Sequence, residues 1–467
     1  MRNTKRRLEA FSFFDHKGIS RHLEKMASKG WMLDKITNFG WVYRRIEPKN
    51  IHFTVSYYPK ASEFDPEPSE EQKMFHDFCA HTGWQLVCTS AQMQIFYNEC
   101  ENPTPIETEP ELELQAIHAS AKKSFIPQYI CWLMIAMTYG VLFFKNLFHD
   151  PIDLLSSTLM LFSGFSFMIL AILSIVELVC YFHWYTSAKT AASHGEFLPV
   201  TGTSKFEGIL RCFYGIGVVI LALGCIVNGD LFQKRYIMII CIYLAINIVI
   251  VHATIRFLKH KKISASDNRM ITMITSCVVG FVMLVFTTFL IFNGSLRGLF
   301  SSKSEETYEY KGVTLVIYQD ELPLVIEDLM DVDYDGYIKE RYGNMSLILG
   351  QYTMHQYPRL DAVNYTDIPR LEYTMTIVKV PALYNMCKER LMYENEVLRR
   401  LNEHEYQAEE AKPWGAKDAY RLYDPEYGFT NEYLLCYDNL LVEISFDWEP
   451  TIEQMAVVGE KLSSAEF

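Results

Sequence analysis

The chain has 467 residues, half of them hydrophobic, with 56 Asp and Glu against 43 Lys and Arg and a net charge of −13. That length calls for several domains rather than one. The charge is uneven: residues 304–467 hold 32 Asp and Glu against 14 Lys and Arg, a net −18, so the rest carries +5. An acidic surface repels phosphates, which argues against direct nucleic-acid binding by that last stretch. The 11 Cys are scattered, with no CxxC pair and no Cys/His ligand spacing, so no zinc site is read.

The amino terminus is basic, but Leu8-Glu9-Ala10-Phe11-Ser12-Phe13-Phe14-Asp15 is too short and too interrupted for a signal-peptide core. The first domain is therefore expected to stay where it is made. Residues 1–100 contain an internal repeat at an offset of 53. Met26-Ala27-Ser28-Lys29-Gly30-Trp31-Met32-Leu33 aligns with Cys79-Ala80-His81-Thr82-Gly83-Trp84-Gln85-Leu86, and Val42-Tyr43 with Ile95-Phe96. Each copy reads as a helix stopped by glycine, then a strand opened by tryptophan, then a second strand. Helices are expected over 16–29 and 69–82, with Asp15 and Ser69 as N-caps. Strands are expected over 31–37, 40–47, 51–58, 84–90 and 93–98, with an initial strand over 7–14. The domain is α+β, with its helices on one face of an antiparallel sheet. Gly30, Trp31, Gly83 and Trp84 form its structural motif. The two tryptophans are expected to pack helices onto the sheet, with an open stacking surface as the alternative.

These residues carry a resemblance. Phe11-Ser12-Phe13-Phe14-Asp15, the Leu23 to Leu33 stretch with Gly30-Trp31, Tyr43, Tyr57-Tyr58 and Gly83-Trp84 together resemble the bacterial family called domain of unknown function 2812, DUF2812. The resemblance covers about the first 100 residues. It implies a membrane block behind the domain and a cytoplasmic partner, a regulator of the PadR repressor class. It implies no reaction and no catalytic residue.

Residues 101–124 read as a Glu- and Pro-rich linker followed by a short helix. Residues 125–296 then hold five windows free of Asp, Glu, Lys and Arg at their centres. A helix crossing the hydrocarbon core needs about 20 predominantly apolar residues, with its backbone bonded internally. Five transmembrane helices are expected, at about 125–144, 155–182, 209–229, 236–257 and 271–293, in contact with a lipid bilayer. With the amino terminus inside, ten Lys and Arg flank the inner ends and five the outer ends. That bias puts the first domain in the cytoplasm and residues 304–467 outside, in a multi-pass cell-membrane protein. Glu177, Asn247 and His252 lie in spans and are the candidate ion or ligand groups. The competing reading is interfacial placement for Glu177 and helix-joining hydrogen bonds for the other two.

Residues 304–467 are read as an acidic, extracytoplasmic α+β domain. A hairpin turns at Lys311-Gly312. A short helix opens at Leu322-Pro323, strands follow over 346–357 and 371–380, and Pro381 starts a helix to residue 401. A second hairpin turns at Asp438-Asn439, and a helix over 451–462 closes the chain. Asp331, Asp333 and Asp335 alternate before Gly336, which is how a calcium loop opens. The twelfth position, however, is Tyr342 where a bidentate Glu belongs, so an acidic solvated turn competes with calcium. Cys387 and Cys436 are available to pair if the domain is exported, and Asn344 and Asn364 open glycosylation sequons.

No nucleophile with its base, no phosphate-cradling loop and no metalloprotease helix is found, so no enzyme is read. The expected function is a sensor, regulatory or partner-binding protein linking an outer to an inner domain. The alternative is a transport component that uses the helices themselves, with Glu177 and His252 as its polar groups.

Overall fold

Twice in the first hundred residues a helix stops at a glycine. Helix α1 (His16–Ala27) is capped by the Asp15 carboxylate, which accepts from the Gly18 N–H, and α2 (Glu70–His81) by the Ser69 hydroxyl, which accepts from the Gln72 N–H. Just beyond the two helices, Gly30 has φ +79° and Gly83 φ +88°, the left-handed conformation that costs glycine least. The hairpins that follow are β2 (Trp31–Thr37) with β3 (Gly40–Arg45), and β5 (Gln85–Ser90) with β6 (Met93–Asn98). They share one register at the offset of 53: Thr37 faces Gly40 as Ser90 faces Met93, and a bulge falls between Leu33 and Lys35 as between Leu86 and Cys88. Strand β1 (Thr4–Arg7) joins β3, and β4 (His52–Tyr57) joins β6.

The computed structural model describes residues 3–199, 208–217, 219, 223, 231–292, 306–392 and 405–465, apart from 10, 38, 39, 211, 364 and 366. Two expectations for the first module change. The initial strand is four residues at Thr4–Arg7, because Asp15 N–H closes a turn on the Ser12 carbonyl at 3.1 Å and sends Phe13 and Phe14 into the core. The single antiparallel sheet is two, of order β1-β3-β2 and β4-β6-β5. The bulged strands β2 and β5 pack together without a ladder, since a bulge adds twist where two edges would have to join.

Helix α3 (Pro110–Ser120) passes through one π-turn, Ala121–Phe125, into α4 (Ile126–His149). The turn is closed by Ile126 N–H on the Ala121 carbonyl. Pro127 explains the widening: it offers no N–H to the Lys123 carbonyl, and its ring crowds that oxygen. Then come α5 (Pro151–Ser156), α6 (Thr158–Ser193), α7 (Leu231–His260) and α8 (Ala265–Phe292). Among the described residues four helices, not five, are long and apolar enough to cross a membrane: Pro110–His149, Thr158–Ser193, Met238–His260 and Ala265–Phe289. The third expected span, 209–229, falls largely outside the described residues. The first two are longer than expected. At 40 and 36 residues they run for about 60 and 54 Å, against a hydrocarbon core of about 30 Å.

The last module is built on a seven-stranded antiparallel sheet of order β12-β13-β14-β15-β11-β10-β9. Its strands are β9 (Tyr337–Met345), β10 (Leu349–Pro358), β11 (Leu371–Val378), β12 (Glu405–Glu409), β13 (Asp418–Asp424), β14 (Gly428–Cys436) and β15 (Leu440–Phe446). The hairpin of β7 (Thr307–Tyr310) and β8 (Val313–Val316) precedes it, turning through Lys311 and Gly312, both at positive φ. One face is covered by α9 (Ile326–Leu329), by α10 (Ile452–Ser463) and by Trp414, over a core of Tyr373, Met375, Tyr433 and Phe446. Gly459 lets α10 approach: a Cβ there would lie 2.1 Å from the Trp414 carbonyl oxygen. The other face packs Leu349, Val378, Leu434 and Leu441 against Ile152 of α5 and against Cys387 and Leu391. Ser346 Oγ donates to the Leu155 carbonyl at 2.6 Å, and Thr158 Oγ1 to that of Met345 at 3.0 Å. Three strands, β9, β12 and β13, were not expected. They are rich in charge and tyrosine, and their apolar alternation is interrupted.

Candidate functional site

The most densely built polar region of the first module surrounds residues 12–17, where α1 begins beside the end of α6. Phe14 is fully buried, with ring centroids 5.3 Å from Trp184, 5.5 Å from Tyr181 and 6.1 Å from Phe125. Leu114, Ile117, Ala121, Ala188 and Ala192 complete the same core, so two apolar helices and the sheet module share one interior. The alanines permit this, because small side chains let a helix come close. Three polar contacts hold the rim. Lys17 Nζ donates to the Leu198 carbonyl at 2.6 Å. Trp184 Nε1 donates to that of Pro199 at 3.2 Å. Lys123 Nζ reaches the carbonyls of Pro59, Lys60 and Ala61 at 3.1, 3.0 and 3.3 Å, which takes up all three ammonium protons.

Carboxyl groups gather beneath this aromatic layer. Glu177, buried in α6, accepts from Ser12 Oγ at 3.4 Å. Asp15 is buried; its Oδ1 takes the Gly18 N–H, and its Oδ2 accepts no hydrogen bond among the described residues. Gly18 is needed there, since a Cβ would sit 2.2 Å from Oδ2. Buried His16 has Nδ1 3.1 Å from the Phe14 carbonyl oxygen and Nε2 3.0 Å from Glu113 Oε1. Glu107 accepts from Ser56 Oγ at 2.6 Å. Burial pushes the Glu107 carboxyl above its ordinary range; the Ser56 hydroxyl and His16 pull it back, while Glu113 pushes it further. Tyr57, whose hydroxyl donates to the Phe13 carbonyl, is pushed up by burial and by the charges of Asp15, Glu107 and Glu113. Burial lowers the Lys17 ammonium, against the pull of Glu113. Four carboxylates, Glu177 of α6, Glu113 of α3, Asp15 and Glu107, thus belong to this junction.

The residues singled out from sequence separate. Glu177 belongs to this junction. Asn247 instead joins α7 to α8: its Nδ2 donates to Tyr243 Oη at 3.4 Å and its Oδ1 accepts from Ser276 Oγ at 3.3 Å. His252 Nδ1 lies 2.9 Å from the Ile248 carbonyl oxygen of its own helix, on an outward surface. Asp331, Asp333 and Asp335 are exposed, and among the described residues no group of three or more His, Cys, Asp or Glu side chains is placed to hold a metal ion. The physical reason is strand β9: it takes up Tyr337 to Tyr342, the second half of the supposed calcium loop, and a straight strand cannot wrap an ion. Cys387 and Cys436 are free thiols buried in one cluster, and burial pushes each up to about 11. Asn344 lies on β9, not on a loop, and Asn364 lies outside the described residues.

The paired tryptophans do different work. Trp84 is buried with Cys79 and Phe96 and donates to the Thr104 carbonyl at 2.7 Å. Trp31 is half-buried, with Lys5 Nζ 5.4 Å and Arg45 Cζ 5.8 Å from its ring. Sequence reasoning missed Ser12, Asp15 as more than a cap, His16, Glu113 and Tyr181. The available signal was three Phe in four residues at 11–14, more aromatic surface than a short edge strand can bury.

Fold and site together define a class: a chain with, among its described residues, four helices long and apolar enough to cross a bilayer, two of them sharing a core with an α+β module built from a duplicated unit. Residues 15–128 match the family described as protein of unknown function (DUF2812), so the chain carries a domain of that family. The match runs past residue 100 and takes in α3 and the π-turn, the elements that the shared core includes. No curated protein and no solved structure matches the chain.

Proposed function

We propose that this is a multi-pass membrane protein that couples the state of its carboxy-terminal module to its amino-terminal module through α4 and α6. The observation that carries the reading is that α6 and the helix continuous with α4 enter the core of the first module, while the short α5 that joins them enters that of the last. Leu114, Ile117, Ala121 and Phe125, with Tyr181, Trp184 and Ala188, belong to the interior of the first module; Ile152, between the two helices, belongs to that of the last. A ligand with different affinity for two states of one module would then shift the other. The transport reading lacks a comparable support: Glu177 is engaged by Ser12, and His252 by its own helix.

The orientation that goes with this reading counts the expected span at 209–229 as a fifth crossing, and it puts residues 1–123 in the cytoplasm and residues 304–467 outside. Lys122, Lys123, Lys189, Arg256, Lys259, Lys261, Lys262 and Arg269 supply the inner charge. The output partner is a soluble regulator, of the PadR class if the family resemblance extends to partners. The test is Ile152→Ala in the full-length protein, followed by hydrogen exchange. Faster exchange at residues 12–17 and 177–188 supports coupling. Unchanged exchange there, alongside faster exchange at residues 345–355, ends it.

A further inference from the structure

The duplication provides an internal control on which surface positions the fold requires. At the offset of 53, Met74 and Phe78 of α2 correspond to Arg21 and Lys25 of α1. All four are exposed, Met74 at 64% and Phe78 at 59%. The unit therefore accepts long cations at these positions, and its own packing calls for neither a thioether nor a phenyl ring. Leu86 extends the apolar ground: it is 39% exposed, whereas its counterpart Leu33 is 1% exposed. Leu86 faces Phe96 across the ladder, and Phe96 packs with Cys79 of α2, so Leu86 lies on the α2 side of its sheet.

The two outward faces are complementary. On α1, Arg21 and Lys25 fall at i and i+4, an exposed cationic pair; Lys17, one turn earlier, has its ammonium held by the Leu198 carbonyl. On α2 the same row reads Glu70, Met74, Phe78, with Glu71 and Asp77 beside it. Lys73 and Lys60 sit at its margin, 2.8 Å from Glu70 and 2.6 Å from Glu71, in exposed pairs that contribute little and exchange partners readily.

We propose that α2 of one chain docks on α1 of a second copy. The aliphatic stems of Arg21 and Lys25 cover Met74 and Phe78, and their charged ends reach Glu70 and Glu71. A guanidinium over the Phe78 ring adds a cation–π contact. Charge complementarity within the duplicated unit is what selects a second copy as the occupant. The contact joins two different surfaces, so it is heterologous; copies sharing one bilayer orientation are related by rotation about its normal, which gives a ring where that rotation closes and an open array where it does not.

The experiment co-purifies two differently tagged full-length copies from membranes in mild detergent. Wild-type copies are expected to co-purify. R21E/K25E paired with itself, and E70K/E71K paired with itself, are each expected to lose about tenfold or more of that signal, since like charges then face each other. Mixing the R21E/K25E copy with the E70K/E71K copy restores it, because both contacts are opposite in charge again. M74R/F78K, which writes into α2 the residues the fold already carries in α1, keeps the module folded by thermal melting and abolishes pairing. Wild-type copies that stay apart overturn the proposal, whether or not the α2 face captures another protein. So do charge variants that pair like wild type, and so does a mixed pair that fails to recover.

Discussion

The two copies of the repeated unit share a backbone and little else. Their strands pair in one register, their bulges fall at one offset, and a glycine at positive φ follows each helix. Their side chains diverge. Leu33 is sealed and Leu86 open; Trp84 is buried and Trp31 carries two cations; His22 and Tyr43 in the first copy correspond to Phe75 and Phe96 in the second. The first copy received α3 and the end of α6 into its core, whereas the second closes on Trp84, Phe96 and Cys79. The comparison teaches that glycine placement and apolar alternation specify a fold twice over, while burial at equivalent positions depends on what docks afterwards.

Substitutions at matched positions break this comparison by unequal amounts. The largest effect is expected at Phe14, which is fully buried among Phe125, Tyr181 and Trp184, and whose counterpart is exposed Glu67. Phe14→Ala should cost about 3–5 kcal/mol in denaturant unfolding of the first module, and Glu67→Ala, which loses only an exposed contact with Lys262, should leave it nearly unchanged. Equal effects would show that the aromatic junction is not where the module is held. Next are the tryptophans. Trp84→Ala should cost about 3–5 kcal/mol and Trp31→Ala distinctly less, read by thermal melting.

The glycines come third. Both need positive φ, but a Cβ at Gly30 meets the Ile46 carbonyl oxygen at 2.9 Å, and one at Gly83 meets the Asn98 side-chain amide at 3.1 Å. Each alanine substitution should cost about 1–2 kcal/mol, Gly30→Ala the more, measured as the difference in melting of the two variants. The smallest effect concerns pH. Burial lowers the His22 imidazole below its ordinary value of 6.5, and Glu9 only partly offsets this. The folded module thus prefers neutral His22, whose stabilisation is present above pH 6.5 and is lost as pH falls through the lowered value. His22→Phe, which makes the first copy resemble the second, should flatten the melting temperature between pH 7 and 5. A slope that survives the substitution assigns the titration elsewhere.

Much of the first module was legible because its signals are local. Asp15 and Ser69 announce helix starts, Gly30 and Gly83 announce stops, and the strands at 31–37 and 93–98 follow from alternation. The apolar helices were legible for the same reason, as composition over a window. The last module was legible at its two hairpins and its final helix, capped by Thr451 with Gln454 in reciprocal contact. It was illegible at β9, β12 and β13, where lysine, arginine and glutamate stand at strand positions and only pairing to a neighbour makes them a sheet. At the Asp331 motif the local pattern offered both an acidic turn and a calcium loop, and only the pairing of β9 shows that residues 337–342 run straight.

Residues close in sequence thus determined, by themselves, where helices begin and end, that one unit occurs twice, and which stretches are apolar enough for a bilayer. Those properties rest on backbone conformation and on transfer from water, which each residue carries with it. Tertiary structure alone decided that Glu177 belongs to Ser12, that Asn247 ties α7 to α8, that Ile152 lies in the interior of the last module, and that one copy of the duplicated unit is sealed while the other keeps an open face. Each of those depends on which distant surface arrives, and no local pattern encodes an arrival.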